Sequence, residues 1–216
     1  LEKAIRDALG IPDELLKKED LAGLKELRID NKGKPESAKI SDLTGLEHCT
    51  NLTRLELHYN QISDISSLAN LTNLTNLTRL ELHDNEISDI TAVANMTSLE
   101  TLYLSNNEIS DITAVANLTN LTRLDLNGNA VSDISPLENL TSLITLYLDN
   151  NEISDITAVA NLTNLNFLWV HTNQISDISK ISNLTNLTTL YLGHNQIIDI
   201  SPLVENTGIS GTINFK

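Results

Sequence analysis

The chain of 216 residues carries 29 acidic and 14 basic side chains, a formal charge of −15. Such an excess repels phosphate backbones and anionic lipid surfaces, which excludes nucleic acid as a partner. No apolar run approaches the roughly 20 residues that cross a bilayer, so this fragment has no membrane span, and the lone Cys49 rules out an internal disulfide.

Residues 1–24 place Ile5, Ala8 and Leu9, then Leu15, Leu16, Leu21 and Leu24, at helical spacing, which predicts a helical amino-terminal cap. Leu24–Ile29 is predicted as a first strand and Asn31–Ala38 as a longer turn. No charged-then-apolar leader is present, an absence that tells little because a chain starting at Leu1 rather than methionine is expected to be trimmed.

From Asn51 onward one phrase recurs, Leu-x-x-Leu-x-Leu-x-x-Asn, ending at Asn60, Asn85, Asn107, Asn129, Asn151, Asn173 and Asn195. Most steps are 22 residues; the step to Asn85 is 25. A fixed period of this size is the mark of stacked units, none able to bury its apolar face alone, so the length makes a single solenoid. In the copy that starts at Leu99, Leu102 and Leu104 alternate with Thr101, Tyr103 and Ser105, the period of two of a half-buried strand. Successive copies then align into a parallel sheet. Asn107 falls where the chain leaves its strand, and its amide carries the donors and acceptor needed by backbone groups that the sheet no longer pairs.

The following Ile-Ser-Asp-Ile is too short a lead for a full crossover helix and predicts a 3₁₀ or irregular turn. Ser135 before Pro136 and Ser201 before Pro202 read as an N-cap followed by proline at the first helical position. Asp42, Asp64, Asp89, Asp111, Asp133, Asp155, Asp177 and Asp199 stack in register at about 4.8 Å. Local hydrogen bonding to the backbone is their default role, because calcium needs several converging oxygens and a bent loop. Cys49 shares a column with Met96, Leu118, Leu140, Leu162 and Leu184 and reads as a buried, inert thiol. At the far end Gly208 and Gly211 break the pattern, Thr212–Phe215 is predicted as a closing strand, and nothing polar seals the last layer, as expected if further chain followed.

The phrase, with Asn-x-Ile-Ser-Asp-Ile after the strand and Asn-Leu-Thr-Asn-Leu before the next, resembles the 22-residue leucine-rich repeats of bacterial internalins and internalin-like surface proteins over residues 40–206. The resemblance implies an α/β solenoid: a leucine-rich-repeat horseshoe with a parallel concave β-sheet, a short 3₁₀ or irregular convex side and a helical amino-terminal cap. It divides the chain into cap and first strand (1–39), repeats (40–206) and closing strand (207–216). It also implies an extracellular or cell-surface location and adhesion. Intracellular phosphatase-regulating proteins share the repeat class, so a cytoplasmic location is the alternative.

In such a horseshoe the residues flanking the strand leucines face the concave side, and here they vary from copy to copy. Tyr103, Tyr147, Trp169 and Tyr191 share one column, the last three on consecutive strands, where they would form an aromatic strip roughly 10 Å across. Phe167, His171 and His194 extend it, and Arg54, Arg79 and Arg123 supply charge. Exposed aromatics and arginine are the residue types that dominate interface energies. Glu56, His58, Glu81 and His83 occupy equivalent positions on adjacent strands. Two imidazoles and two carboxylates suit zinc, against which stands a row of glutamates neutralised by Arg54 and Arg79.

No nucleophile elbow or glycine-rich phosphate loop occurs, and the Ser-Asp pairs recur without a histidine partner, whereas a catalytic device is singular. The sequence therefore reads as a non-enzymatic recognition module without a cofactor, binding a protein through its concave face. The alternatives are a glycan stacked on Tyr147, Trp169 and Tyr191 with Asp149 and His171 hydrogen-bonded to it, or a structural or engineered repeat scaffold. The 16 identical residues of 106–121 and 150–165 suit duplication or design equally.

Overall fold

A computed structural model describes residues 1–11, 16–69, 76–209 and 211–215. Leu15 of the predicted cap lies outside them. Nine three-residue strands form one parallel sheet in chain order: β1 Glu26–Arg28, β2 Arg54–Glu56, β3 Arg79–Glu81, β4 Thr101–Tyr103, β5 Arg123–Asp125, β6 Thr145–Tyr147, β7 Phe167–Trp169, β8 Thr189–Tyr191 and β9 Thr212–Asn214. The central residues of neighbouring strands pair as Leu55↔Leu80, Leu80↔Leu102 and so on to Leu190↔Ile213. One leucine column is thereby kept continuous through the molecule.

Each copy contributes the same apolar set. Leu99, Leu102, Leu104, Ile109, Ile112, Val115 and Leu118 are all buried, as are their equivalents in the neighbouring copies. Burying one such side chain is worth about 1.5–3 kcal/mol, but only because the next copy covers it. Cys49 lies fully inside this core, and burial pushes its thiol up to about 11, so it stays a thiol at neutral pH. At the amino end, α1 (Glu2–Leu9) and α2 (Lys18–Ala22) lay Ile5 and Leu21 on the first layer. Ala8, expected on that apolar face, is exposed.

The asparagines at the strand exits form the predicted polar ladder. Asn107 is typical: its Nδ2 donates to Leu104 O at 3.0 Å, Ser105 O at 3.3 Å and Leu82 O of the preceding copy at 3.1 Å, while its Oδ1 accepts Ile87 N–H at 2.9 Å. Asn31 starts the ladder by donating to Asn60 Oδ1. A second ladder on the other side of the repeat is invisible in the leucine pattern: Asn51, Asn120, Asn164 and Asn186 donate to Ala22, Thr97, Thr141 and Thr163 carbonyls of the preceding copies. The longer step is absorbed between Ile62 and Asn85, which still bond at 3.0 Å; its Asn-Leu-Thr run, 70–75, lies outside the described residues.

Just before each ladder asparagine the backbone turns through the left-handed region. Gly128 serves there once, but Tyr59, Asp84, Asn106, Asn150, Thr172 and His194 occupy the same corner at φ between 52° and 57°. Side chains with a Cβ meet strain in that region, β-branched ones most.

The convex side is built of 3₁₀ turns (Thr91–Val93, Thr113–Val115, Ser135–Leu137, Thr157–Asn161, Ser179–Asn183) with short α-helical turns α3 (Ser66–Ala69) and α4 (Ser201–Glu205). The expected serine N-caps are not what caps them. Ile134 and Ile200 occupy the cap positions without side-chain bonds, and Asp133 and Asp199, two residues ahead of the serines, accept the Ser135 and Ser201 N–H groups at 2.8 Å. A carboxylate oxygen reaches the second N–H onward in an Asx turn, so each turn is held from the residue two places ahead of the serine rather than by the serine hydroxyl. All eight aspartates of the row bond in this way. Hydrogen bonds from the following Ser or Thr hold the carboxyls of Asp42, Asp64, Asp111, Asp155 and Asp199 below their ordinary range.

At the carboxyl end Gly208 and Gly211 have no room for a Cβ, which would lie 1.7 Å from Thr185 O and 1.9 Å from Thr188 O. Close backbone approach is what lets β9 dock on β8. Ile200 stands in the column of the buried Ile112, Ile156 and Ile178 but is 53% exposed, and Ile198, where earlier copies have serine, is 95% exposed.

Candidate functional site

Strand register lays the variable residues out as columns. The residue after the central apolar one of each strand runs Arg28, Glu56, Glu81, Tyr103, Asp125, Tyr147, Trp169, Tyr191 and Asn214 across the sheet. The amino-terminal half of this face is charged and the carboxyl-terminal half aromatic.

Three of the aromatics predicted from the sequence form one contiguous patch. Trp169 meets Tyr147 edge to face, with centroids 4.9 Å apart and planes at 78°, and lies 4.7 Å from Tyr191 at 54°. The rings shield one another, so each is half-buried rather than open, while Phe167 on the adjacent column is 39% exposed. Trp169 Nε1 is buried without a hydrogen-bond partner. A buried indole donor normally finds one. Tyr103 is set apart by Asp125 and carries the Arg79 guanidinium over its ring at 5.3 Å. His194 sits exposed at a left-handed corner, and Arg123 is exposed with no ion pair among the described residues.

Beside the strip runs a polar chain that the sequence did not reveal as connected. Asp125 Oδ1 accepts Asn127 N–H at 3.0 Å, Asn127 Oδ1 accepts Asp149 N–H at 2.7 Å, and Asp149 Oδ1 accepts His171 N–H at 2.9 Å. Asp149 is buried, 3.6 Å from His171 Nε2. Desolvation pushes its carboxyl up to about 6, against the nearby His171 and the backbone bond, which pull it down. Desolvation likewise raises Asp125 and the Tyr147 phenol.

In the amino-terminal half, Arg54 and Arg79 are engaged with the glutamates between them. Arg54 pairs with Glu56, Arg79 with Glu81, and Arg79 Nε lies 3.5 Å from Glu56 Oε1. Glu56 and Glu81 are accordingly buried, the arginine stems covering them. His58 and His83 stack above this network, centroids 4.5 Å apart and planes within 7°. Tyr59 packs edge-on against both, with Lys32 over its ring at 5.0 Å.

The sequence matches a family model described as leucine-rich repeats over 50–95, 75–117, 97–139, 119–161, 141–183 and 163–205. No curated protein matches it. Among solved structures, the chain is similar to internalin C2 of Listeria monocytogenes, with 36% identity and a TM-score of 0.91 over 100% of this chain and 92% of that one. Internalin F of the same organism gives 33% identity and 0.80 over 99% and 67%. The ectodomain of the Arabidopsis thaliana membrane receptor kinase GASSHO1/SCHENGEN3, solved in complex with Casparian strip integrity factor 2, shares the fold at 0.76 and 22% identity, over 93% of this chain and 25% of that one. Proteins of this repeat class are typically interaction modules without catalysis. With the phrase, the parallel sheet and these likenesses in agreement, the chain belongs to the leucine-rich-repeat family, among its bacterial internalin-like members.

Proposed function

We propose that the chain is a non-enzymatic recognition module that binds a protein partner through the carboxyl-terminal half of its concave sheet. The observation that carries this reading is the Tyr147, Trp169 and Tyr191 patch, held opposite the leucine core on three consecutive strands. Core positions conserve leucine to make the fold; nothing in the fold requires aromatics on the other face. Phe167 adds an apolar edge, and Arg123 adds a charge at the rim. The receptor ectodomain of the same fold was solved with a bound partner, which supports the choice of a macromolecular ligand.

A glycan reading needs ring faces open side by side, whereas Tyr147 and Trp169 stand at 78° to each other. The geometry therefore favours a protein side chain or strand seated in the patch. An extracellular or cell-surface location belongs to the same proposal and rests on the internalin likeness, as does the division into cap (1–39), repeats (40–206) and closing strand (207–216).

The test is affinity capture of partners from cell-surface protein extracts, followed by titration of the captured protein. Trp169→Ala should weaken binding by about 30-fold, the loss typical of an interface anchor, with an unchanged far-UV spectrum. Equal affinity of the variant would remove the site, and selective retention on a glycan array would transfer it to the carbohydrate reading.

A further inference from the structure

We propose that His58, Glu81 and His83 form a three-ligand site for a zinc-class divalent cation, separate from the aromatic patch. In-register pairing of β2 with β3, continued by the Leu57 N–H to Glu81 O and Tyr59 N–H to His83 O bonds, sets the two imidazoles side by side just beyond the strand ends. Glu81 Oε2 lies 4.0 Å from His58 Nδ1 and 4.0 Å from His83 Nε2, and one ligand atom from each of the three residues lies within 4.8 Å of the others.

The surroundings assign each group its role. The Glu81 carboxylate is pinned at Oε1 by Arg79, which leaves Oε2 turned toward both rings. Glu56, which the sequence grouped with these residues, is instead held by Arg54 and Arg79. His83 Nδ1 is 2.8 Å from Asp84 Oδ2, the carboxylate–histidine arrangement that fixes the tautomer and frees Nε2 to ligate. His58 Nε2 has Asp30 Oδ2 at 3.7 Å, and its Nδ1 is buried with no hydrogen-bond partner. An orphaned buried nitrogen is unfavourable in the protein alone, and coordination would satisfy it. Both outer nitrogens thus face carboxylates and both inner nitrogens face the single Glu81 oxygen.

A tetrahedral zinc set with bonds of about 2.0–2.1 Å has ligand atoms about 3.3 Å apart. The three atoms must therefore close in by roughly 1 Å, with the stacked rings turning so that their lone pairs converge, which side-chain torsions provide on a fixed backbone. Two imidazoles and one carboxylate select zinc over calcium or magnesium, which prefer oxygen alone. Three protein ligands leave a fourth position for water or for a side chain of a bound molecule. The equivalent positions of the next copies hold Ser105, Asn127 and Asp149, so the paired imidazoles occur at one place along the sheet.

The test is calorimetric titration of the metal-free chain with zinc chloride alone at pH 7.5, with cobalt(II) absorption as a report on coordination. The expected result is one zinc per chain, tetrahedral cobalt bands and a raised melting temperature. His58→Ala and His83→Ala should each weaken binding at least about tenfold, while His171→Ala, on the distal half, should not. Circular dichroism of each variant checks the fold. Absence of heat and of any melting shift overturns the proposal, and so does binding that persists in both His58 and His83 variants or falls equally with His171→Ala.

Discussion

The buried Asp149 carboxylate caps the His171 backbone N–H at 2.9 Å and lies 3.6 Å from that residue's Nε2. Its folded pKa of about 6 stands above the ordinary value of 3.8. Between those two values the folded state holds a proton that the unfolded state has released, so stability falls as pH rises through this window. Asp149→Asn keeps an acceptor for His171 N–H and removes the titration. Wild type and variant should melt together at pH 4, and the variant should melt higher at pH 7; a constant offset across the range would assign the proton elsewhere.

Asn129 bonds the Leu104, Leu126 and Asn127 carbonyls through Nδ2 and the Ile109 N–H through Oδ1. Asn129→Ala leaves these groups unpaired in a half-buried site, at a cost of about 2 kcal/mol. Urea denaturation should show that loss, and Asn129→Asp should not recover it, because its second carboxylate oxygen faces the three carbonyl oxygens that Nδ2 serves.

Thr172 holds φ 54° with a β-branched side chain, where the two preceding copies place Asn150 and Gly128. Thr172→Asn should stabilise the chain by about 1 kcal/mol. A lower melting temperature would mean that the Thr172 Oγ1 to His171 Nδ1 contact at 2.9 Å outweighs the backbone strain.

Gly208→Ala forces a Cβ onto the Thr185 carbonyl. The last strand should lift from β8, exposing Leu192 N–H, which bonds Asn214 O at 2.8 Å. Hydrogen exchange at Leu192 should accelerate while exchange in the central copies, such as at Leu126, stays slow, because repeat arrays transmit stability mainly to neighbours.

The leucine columns and the asparagine ladder were legible because one side-chain type performs one task in every copy. The second ladder was not: Asn120 and Asn164 lie in an Asn-Leu-Thr-Asn run whose members look alike in sequence, and only the turn geometry decides which one reaches back. Ser-Pro has the look of a capped helix start, but the side-chain bond is made by Asp133, which accepts the N–H of Ser135 itself. The left-handed corner hid behind Tyr59, Thr172 and His194, residue types that argue against it. On the concave face the columns followed from alternation alone. Which side chains meet there did not: Glu56 and Glu81 share a face with Tyr103, yet arginine rotamers bury them, and no periodicity encodes a rotamer. The domain boundaries at 39 and 206 are likewise drawn from the phrase.

The three-residue lengthening between Ile62 and Asn85 leaves β2 and β3 paired residue for residue. Chain length on the outer arc is thus decoupled from strand spacing on the inner one. Recombination between near-identical copies, such as 106–121 and 150–165, which start 44 residues apart, can therefore insert or delete two whole copies while leaving every strand in register. Each such event would slide the histidine-bearing end of the sheet by two strand spacings, about 9.6 Å, relative to the tryptophan-bearing end. Lineages could tune the distance between two contact points in fixed increments while the contacts themselves stay untouched.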